Sequence, residues 1–301
     1  MNAGDFQATY TCVADDVELM RLALGVVFYC SGDVTTHRNE TKFAVDAAWP
    51  LVASGVRSLQ TTNMKRPKAI KDGKKALLQM LEERPSEVYN YVSVDNRRHN
   101  DEAPDCCIEI SDAGYRSASY FLCRLPIGDD DTHGALLDLT LKVAAHLHAA
   151  HGYAGYTLAR NAESPKASLT DRMFYPIGMR HPGIDLPSAA NTSFVVNEGI
   201  KRVNWLTILG KDMARKAGSL DGLDQRSGII VHKSGDGVVI QAGDAPLIGD
   251  NNGRETCEVY RRVGRALKGI RCKDHPAFIF GPGEFMASAE KTEAWLSSLD
   301  D

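Results

Sequence analysis

Several familiar signatures are missing from this 301-residue chain, and each absence removes a class of function. There is no GxxxxGK[ST] phosphate loop and no GxGxxG turn after a strand, so both common nucleotide-binding fingerprints are gone. GPG at Gly281 to Gly283 is only a turn signal. No GxSxG elbow presents a serine nucleophile. The seven cysteines (Cys12, Cys30, Cys106, Cys107, Cys123, Cys257 and Cys272) are odd in number and form no CxxC or zinc-type spacing. Buried, reduced thiols are the expectation. No apolar run approaches the roughly 18 residues needed to cross a bilayer. The N-terminus, MNAGDFQATYTCVADDVELM, lacks the basic-then-apolar pattern of a secretory signal. A cytoplasmic, soluble protein with no membrane partner is expected. Positive charge is not in excess either: 35 Lys and Arg stand against 39 Asp and Glu, a net charge of -4. Dedicated nucleic-acid binders usually carry a basic footprint, so nucleic acid is not the expected partner. The balance leaves room for an acidic patch that meets a basic one.

What is present suits a globular fold. With 43% hydrophobic and 25% charged residues, the chain has ample apolar material for a core. Residues 1–301 read as a single domain, with two α/β lobes, about 1–160 and 161–301, as the alternative division. LALGVVFYC, ending at Cys30, has the β-branched and aromatic content of a buried strand. Phe43, Ala47 and Leu51 fall at helical spacing within Asn39 to Gly55, with Pro50 breaking the last turn. The cationic KRPKAIKDGKK, Lys65 to Lys75, lacks interleaved aromatics and reads as a solvated turn before a helix over Ala76 to Glu83. Val88 to Val94 alternates as a strand, and Cys106 to Ile110 and Ser119 to Leu125 follow as two more in an antiparallel meander. Leu136, Leu139, Val143 and Leu147 make the apolar stripe of a helix from about Ala135 to His148, and Tyr153 to Arg160 reads as a strand.

In the second half, Val203, Trp205, Leu206, Ile208 and Leu209 form a compact apolar element. A cationic helical tail follows it and stops at Gly218. GIIVHKSGDGVVIQAG, Gly228 to Gly243, reads as a β-hairpin. Arg254 to Lys268 is an amphipathic helix, and a closing helix over Ser288 to Leu299 is anchored by Trp295 and Leu299. Asn161 to Asn197 contains four prolines and little periodicity, and is expected to be a functional excursion or mobile flap. The fold class is α+β: a mixed, mostly antiparallel sheet, or sheets, flanked by helices.

No complete set of catalytic roles emerges. Pro104-Asp105 with Glu109 resembles the paired acids of restriction-type nucleases, but Ser111 stands where their lysine belongs. Cys123 and His133 form a nucleophile–base pair only if the fold brings them together. Within the excursion, RHPGIDL holds Arg180 and His181 beside a Pro-Gly turn, the best place for an enzyme site if there is one. His146, His148 and His151 end the helix before it, and only the last two could share a ligand. Histidines in a last turn also complement the helix dipole, and no metal or other cofactor is expected. The densest acidic run is Asp129, Asp130 and Asp131 at a helix start. Three consecutive carboxylates rarely converge on a metal, so helix capping or a partner-facing edge fits them better.

Four stretches together carry a resemblance: YPIGMRHPGIDL (Tyr175 to Leu186), GIKRVNWLTILG (Gly199 to Gly210), VVIQAGDAPLIGD (Val238 to Asp250) and EVYRRVGRALKGIR (Glu258 to Arg271). With them the chain resembles the TsiV-like family over roughly Leu22 to Leu267. Where a member of that family shows Gly-Val-Asn-Trp, this chain has Arg202-Val203-Asn204-Trp205. The resemblance implies a cytoplasmic immunity protein, not an enzyme. It would bind and neutralise a cognate type VI secretion effector, a DNase of the VRR-NUC or a related class. Occlusion of the toxin's active site and a block of its assembly are both open modes, and a homodimer is an open state. An enzyme near Arg180 and His181 and a secretion-system adaptor are the other readings. A nuclease presents a basic groove to phosphate, so acids would face it. The toxin-binding candidates are Asp129, Asp130, Asp131, Asp15, Asp16, Glu18, Asp244 and Asp250.

Overall fold

The computed structural model describes residues 1–83, 91–114, 118–128, 130–220, 223, 228–281, 284 and 286–300. Its organising element is strand β2, Val17–Ser31, whose alternation buries side chains on both faces. One row, Leu22, Leu24, Val26, Phe28 and Cys30, joins the main apolar core. The other row includes Val27 and Tyr29 and meets Tyr120, Leu122 and Tyr153. A strand buried on both faces must sit in the middle of a sheet, and β2 pairs on either side. Strand β7, Ala118–Pro126, runs antiparallel to it from Ser31–Ala118 to Ala23–Pro126. Strand β8, His151–Arg160, runs antiparallel along its other edge from Tyr29–His151 to Met20–Arg160.

Outward from β7 come β6 (Cys107–Ser111), β5 (Tyr91–Asp95), β3 (Ser58–Thr61) and β4 (Lys68–Ala69). Outward from β8 come β9 (Leu206–Leu209), β11 (Gly237–Ala242) and β10 (Ile229–Ser234). Short β1, Cys12–Ala14, pairs with the start of β2, completing an 11-stranded sheet among the described residues. The named strands pair antiparallel throughout, and helices flank the sheet, as the α+β reading expected.

Helix α2, Arg38–Val52, lays Ala44, Val45, Ala48 and Val52 into the apolar core, and Pro50 sits in its last turn. Helix α4, Asp130–Leu147, covers the same face with Leu136, Leu139, Val143 and Leu147. Between them in sequence, α3 spans Gly73–Glu82 with Asp72 as its N-cap, three residues earlier than the apolar pattern suggested. The Asp72 side chain accepts from the Lys75 backbone N–H, which nucleates the first turn. Of the strand expected over Val88 to Val94, the part up to Asn90 lies outside the described residues, and β5 begins at Tyr91.

The hairpin over Gly228 to Gly243 forms as expected. Ser234 and Gly237 close a two-residue turn in which Gly235 takes φ +57°, the positive φ that a Gly-first hairpin turn requires. Gly210 leads from β9 into helix α7, Lys211–Ala217, which ends at Gly218 with φ +74°.

Asn161 to Asn197 departs from the expectation of a flap. It holds helix α5, Ala167–Arg180, which buries Thr170, Phe174 and Ile177. A short helix α6, Ala189–Thr192, follows. Pro176 is accommodated inside α5 because Phe174 and Ile177 on either side of it anchor the helix against the core. Helix α8, Glu258–Leu267, and helix α9, Ala289–Leu296, close the second half, with Trp295 and Leu299 fully buried. All seven cysteines are free, and six are buried. No helix among the described residues is long and apolar enough to cross a membrane.

Candidate functional site

The sheet register decides where the acidic candidates meet. Because β7 and β8 run opposite to β2, the start of β2, the end of β7 and the end of β8 share one end of the sheet. The start of β9 and the end of β11 point the same way, since Ala154 pairs with Leu206 and Leu206 with Gln241. Asp15 and Asp16 form the turn entering β2 at that end, both exposed, with φ of 51° and 61°. Asp131 follows β7 in the first turn of α4 and is exposed. Asp244 follows β11 and is exposed too.

Trp205 draws two of these corners together. Its ring packs 6.3 Å from His133, two residues beyond Asp131, and its Nε1 donates to the Gly243 carbonyl at 2.9 Å. Asp129 lies outside the described residues, and Asp130 opens α4 with its side chain undescribed.

Asp15 is exposed but accepts from Lys166 Nζ at 2.7 Å, and two further acids, Glu18 and Asp250, are engaged within the fold. Glu18 accepts from Gln7 at 2.5 Å and pairs with Arg21 at 2.6 Å. Asp250 is buried, and its two oxygens take Arg180 Nε at 3.0 Å and Nη2 at 2.8 Å. Arg180 holds the Asp250 carboxyl well below the usual carboxylate range.

RHPGIDL is a clasp. His181 is buried; its ring meets the Tyr10 hydroxyl at 2.9 Å and the Gly249 carbonyl at 2.7 Å. That carbonyl accepts only, so Nδ1 carries the proton and Nε2 accepts from Tyr10. Burial pushes the His181 pKa down. Arg180 and His181 thus tie the end of α5 to the 247–253 loop and to helix α1, Ala3–Thr9, through Tyr10. Cys123 is fully buried in β7, with its thiol pushed well above its ordinary pKa by burial, and His133 instead meets the Tyr156 hydroxyl. Cys123 is no nucleophile in this fold. Of the three histidines, His148 has φ 48°, while His151 is the first residue of β8 and fully buried.

Several cations are buried that the sequence does not mark as such, Lys201 and Arg124 among them. Lys201 is fully buried beside Asp185, and Arg124 stands in β7 amid Phe121, Leu122, Cys123 and Leu125. The available signal was a charge inside an otherwise apolar segment, which forces either a buried partner or a cavity.

The family model described as TsiV, type VI immunity for VRR-NUC, matches residues 59–299. The match begins later than the Leu22 boundary of the resemblance and runs past Leu267 to the closing helix. No curated protein matches the chain in sequence. Among solved structures the fold is similar to the Pseudomonas aeruginosa T6SS protein PA0821, with a TM-score of 0.80 and 22% identity. That likeness covers 95% of this chain and 83% of the other, and at such identity it speaks for the fold alone.

Proposed function

The chain belongs to the family of type VI immunity proteins for VRR-NUC, and from that premise we propose that it acts in the cytoplasm by binding its cognate effector directly. It covers the toxin's DNA-binding surface with the acidic end of its sheet. The observation that carries this reading is the convergence of Asp15, Asp16, Asp131 and Asp244, far apart in sequence, at one end of the sheet. A nuclease needs a basic groove for phosphate, and exposed carboxylates spaced along a rim attract that groove over a Debye length of about 8 Å at physiological salt. Such steering raises the association rate and selects the partner. Asp129 and Asp130 extend the same rim in sequence. The protein needs no cofactor and turns over no substrate in this role; residues 1–301 serve as one binding unit.

The test is co-expression with the toxic nuclease. Lysine at Asp131 and Asp244 together, with an unchanged circular dichroism spectrum, is expected to abolish rescue and to slow association by about tenfold or more at low salt. Full rescue by that folded double variant would sink the acidic-rim interface. Rescue by a variant that still binds DNA-loaded toxin would favour a block of assembly over occlusion.

A further inference from the structure

On the sheet face opposite α2 and α4, a cleft of about 440 Å³ opens beneath the chain around Pro187 to Asn191. That is the size range of sites for small organic ligands. Its floor comes from β2, β6, β7 and β8, and its walls carry Tyr91, Tyr120 and Tyr153. Three guanidinium groups reach it: Arg97, Arg124 and Arg160. Two of them are already neutralised. Arg97 donates to Asp95 and to Gln60, each at 2.6 Å. Arg160 pairs with Asp171 at 2.5 Å.

Arg124 differs. It is 7% exposed, yet among the described residues its one side-chain hydrogen bond runs from Nη1 to the Cys107 sulfur at 3.8 Å, and its Nε has no partner. Burial pushes the Cys107 thiol up to about 12, so that acceptor is neutral and weak. Among the described residues no carboxylate lies within pairing distance of Arg124. Glu109 shares the lining, but its carboxylate accepts the Tyr120 hydroxyl at 2.6 Å. A buried guanidinium is ordinarily paired. One that faces an open cleft with unspent donors is arranged to receive a partner from outside, and its planar fork matches a carboxylate.

We propose that this cleft is a receptor for a monocarboxylate, anchored on Arg124, with the body of the ligand lying against Tyr91, Tyr120 and Tyr153. Glu109 and Glu163 in the same lining repel a multiply charged anion, which disfavours a nucleotide or a nucleic-acid phosphate. The inference stands apart from the immunity reading, because it rests on the cleft and not on the acidic end of the sheet.

The experiment uses the full chain with benzoate as probe, benzamide as its uncharged counterpart and inorganic phosphate as the multiply charged control. Benzoate is expected to raise the melting temperature and to give a calorimetric isotherm, while benzamide and phosphate do neither. Arg124→Gln should weaken benzoate at least tenfold, and Arg124→Lys should retain part of the response. Without ligand, Arg124→Met should melt at or above the wild type, because it removes a buried charge that has no partner. A benzoate response equal in wild type and Arg124→Gln, or equal to that of benzamide, overturns the proposal. So does an Arg124→Met protein that melts well below the wild type. Titrating the effector into the benzoate complex then separates two sources of one chemistry: displacement assigns the carboxylate to a toxin side chain, and co-occupancy to a free acid.

Discussion

Lys201 Nζ lies 2.7 Å from Asp185 Oδ1, and the lysine side chain is entirely withdrawn from solvent. Its other two donors reach the Leu186 carbonyl at 2.9 Å and the Tyr153 hydroxyl at 3.3 Å, so all three are used. Tyr153 and Trp295 also present ring faces at 4.7 and 5.2 Å. One cation thereby joins β8, the segment before α6 and the closing helix α9. Burial pushes Asp185 up and Lys201 down, and each holds the other ionised against that pressure.

Removing one member of this pair leaves the other charged and alone. Lys201→Met is expected to destabilise by about 3–5 kcal/mol, the usual cost of a widowed buried ion. Adding Asp185→Leu to it should recover a large part of that loss, since a buried pair exchanged for apolar groups is often near neutral. Urea unfolding of the two single variants and the double variant gives the coupling. Additive losses would show that the pair is not coupled.

His151 sets a pH limit. Its Nδ1 donates to the Ile208 carbonyl at 3.0 Å, which fixes Nε2 as the acceptor of the Lys201 backbone N–H at 3.3 Å. A second proton has nowhere to go. Burial, joined by the charge of Lys201 and opposed by the Ile208 bond, pushes its pKa down to about 4. His275 is alike, with Nδ1 on the Pro276 carbonyl, Nε2 on the Thr192 hydroxyl and a pKa pushed down by burial to about 4. Both folded pKa values lie below the ordinary histidine value near 6.5. The stability tied to the neutral rings is therefore complete above pH 6.5 and is lost as pH falls toward 4. His151 alone carries up to about 3 kcal/mol of that loss. His151→Phe should be less stable at pH 7 but show a shallower decline between pH 6.5 and 4 in urea titrations.

The sequence made the periodic elements legible and hid the arrangement. β2, α2, α4 and the β10–β11 hairpin follow from apolar spacing and from Gly235, because local physics decides them. Helix α5 is masked in the sequence, because four prolines in its surroundings obscure the Thr170, Phe174, Ile177 stripe that is the real helical signal. The acids could be named one by one, but their gathering at one sheet end depends on the order β11-β9-β8-β2-β7, a long-range property. Arg124 and Lys201 look like surface cations in one dimension. Only the fold shows that one is paired and the other faces a cleft.

Gly178 marks where α5 meets α9. A Cβ there would stand 2.6 Å from Trp295 Cδ1 and 2.9 Å from Leu186 Cδ1, both on fully buried side chains. Alanine is a better helix former than glycine by up to about 1 kcal/mol, but overpacking a tight core costs about 1–3 kcal/mol. Gly178→Ala should therefore be destabilising on balance, with Trp295 fluorescence altered in the native state. A stabilised protein with unchanged fluorescence would mean that the two helices yield freely.

Arg180 separates the clasp from an enzyme site. Its fork on Asp250 is bidentate, and the neighbouring backbone completes the join: the Asn251 N–H donates to the Arg180 carbonyl at 2.8 Å, and the Asn251 side chain to the Met179 carbonyl at 2.7 Å. Arg180→Ala should lower the melting temperature at pH 7 while leaving toxin neutralisation intact. The folded pKa of Asp250 is depressed, chiefly by Arg180, so the contribution of the pair is present above the ordinary carboxylate pKa of about 3.9 and fades as pH falls through it. The gap in melting temperature between variant and wild type should accordingly narrow below about pH 4. A folded Arg180→Ala protein that no longer neutralises the toxin would instead put this arginine at the interface. A gap that stays constant down to low pH would mean that the Asp250 pair is not what holds α5 to its loop.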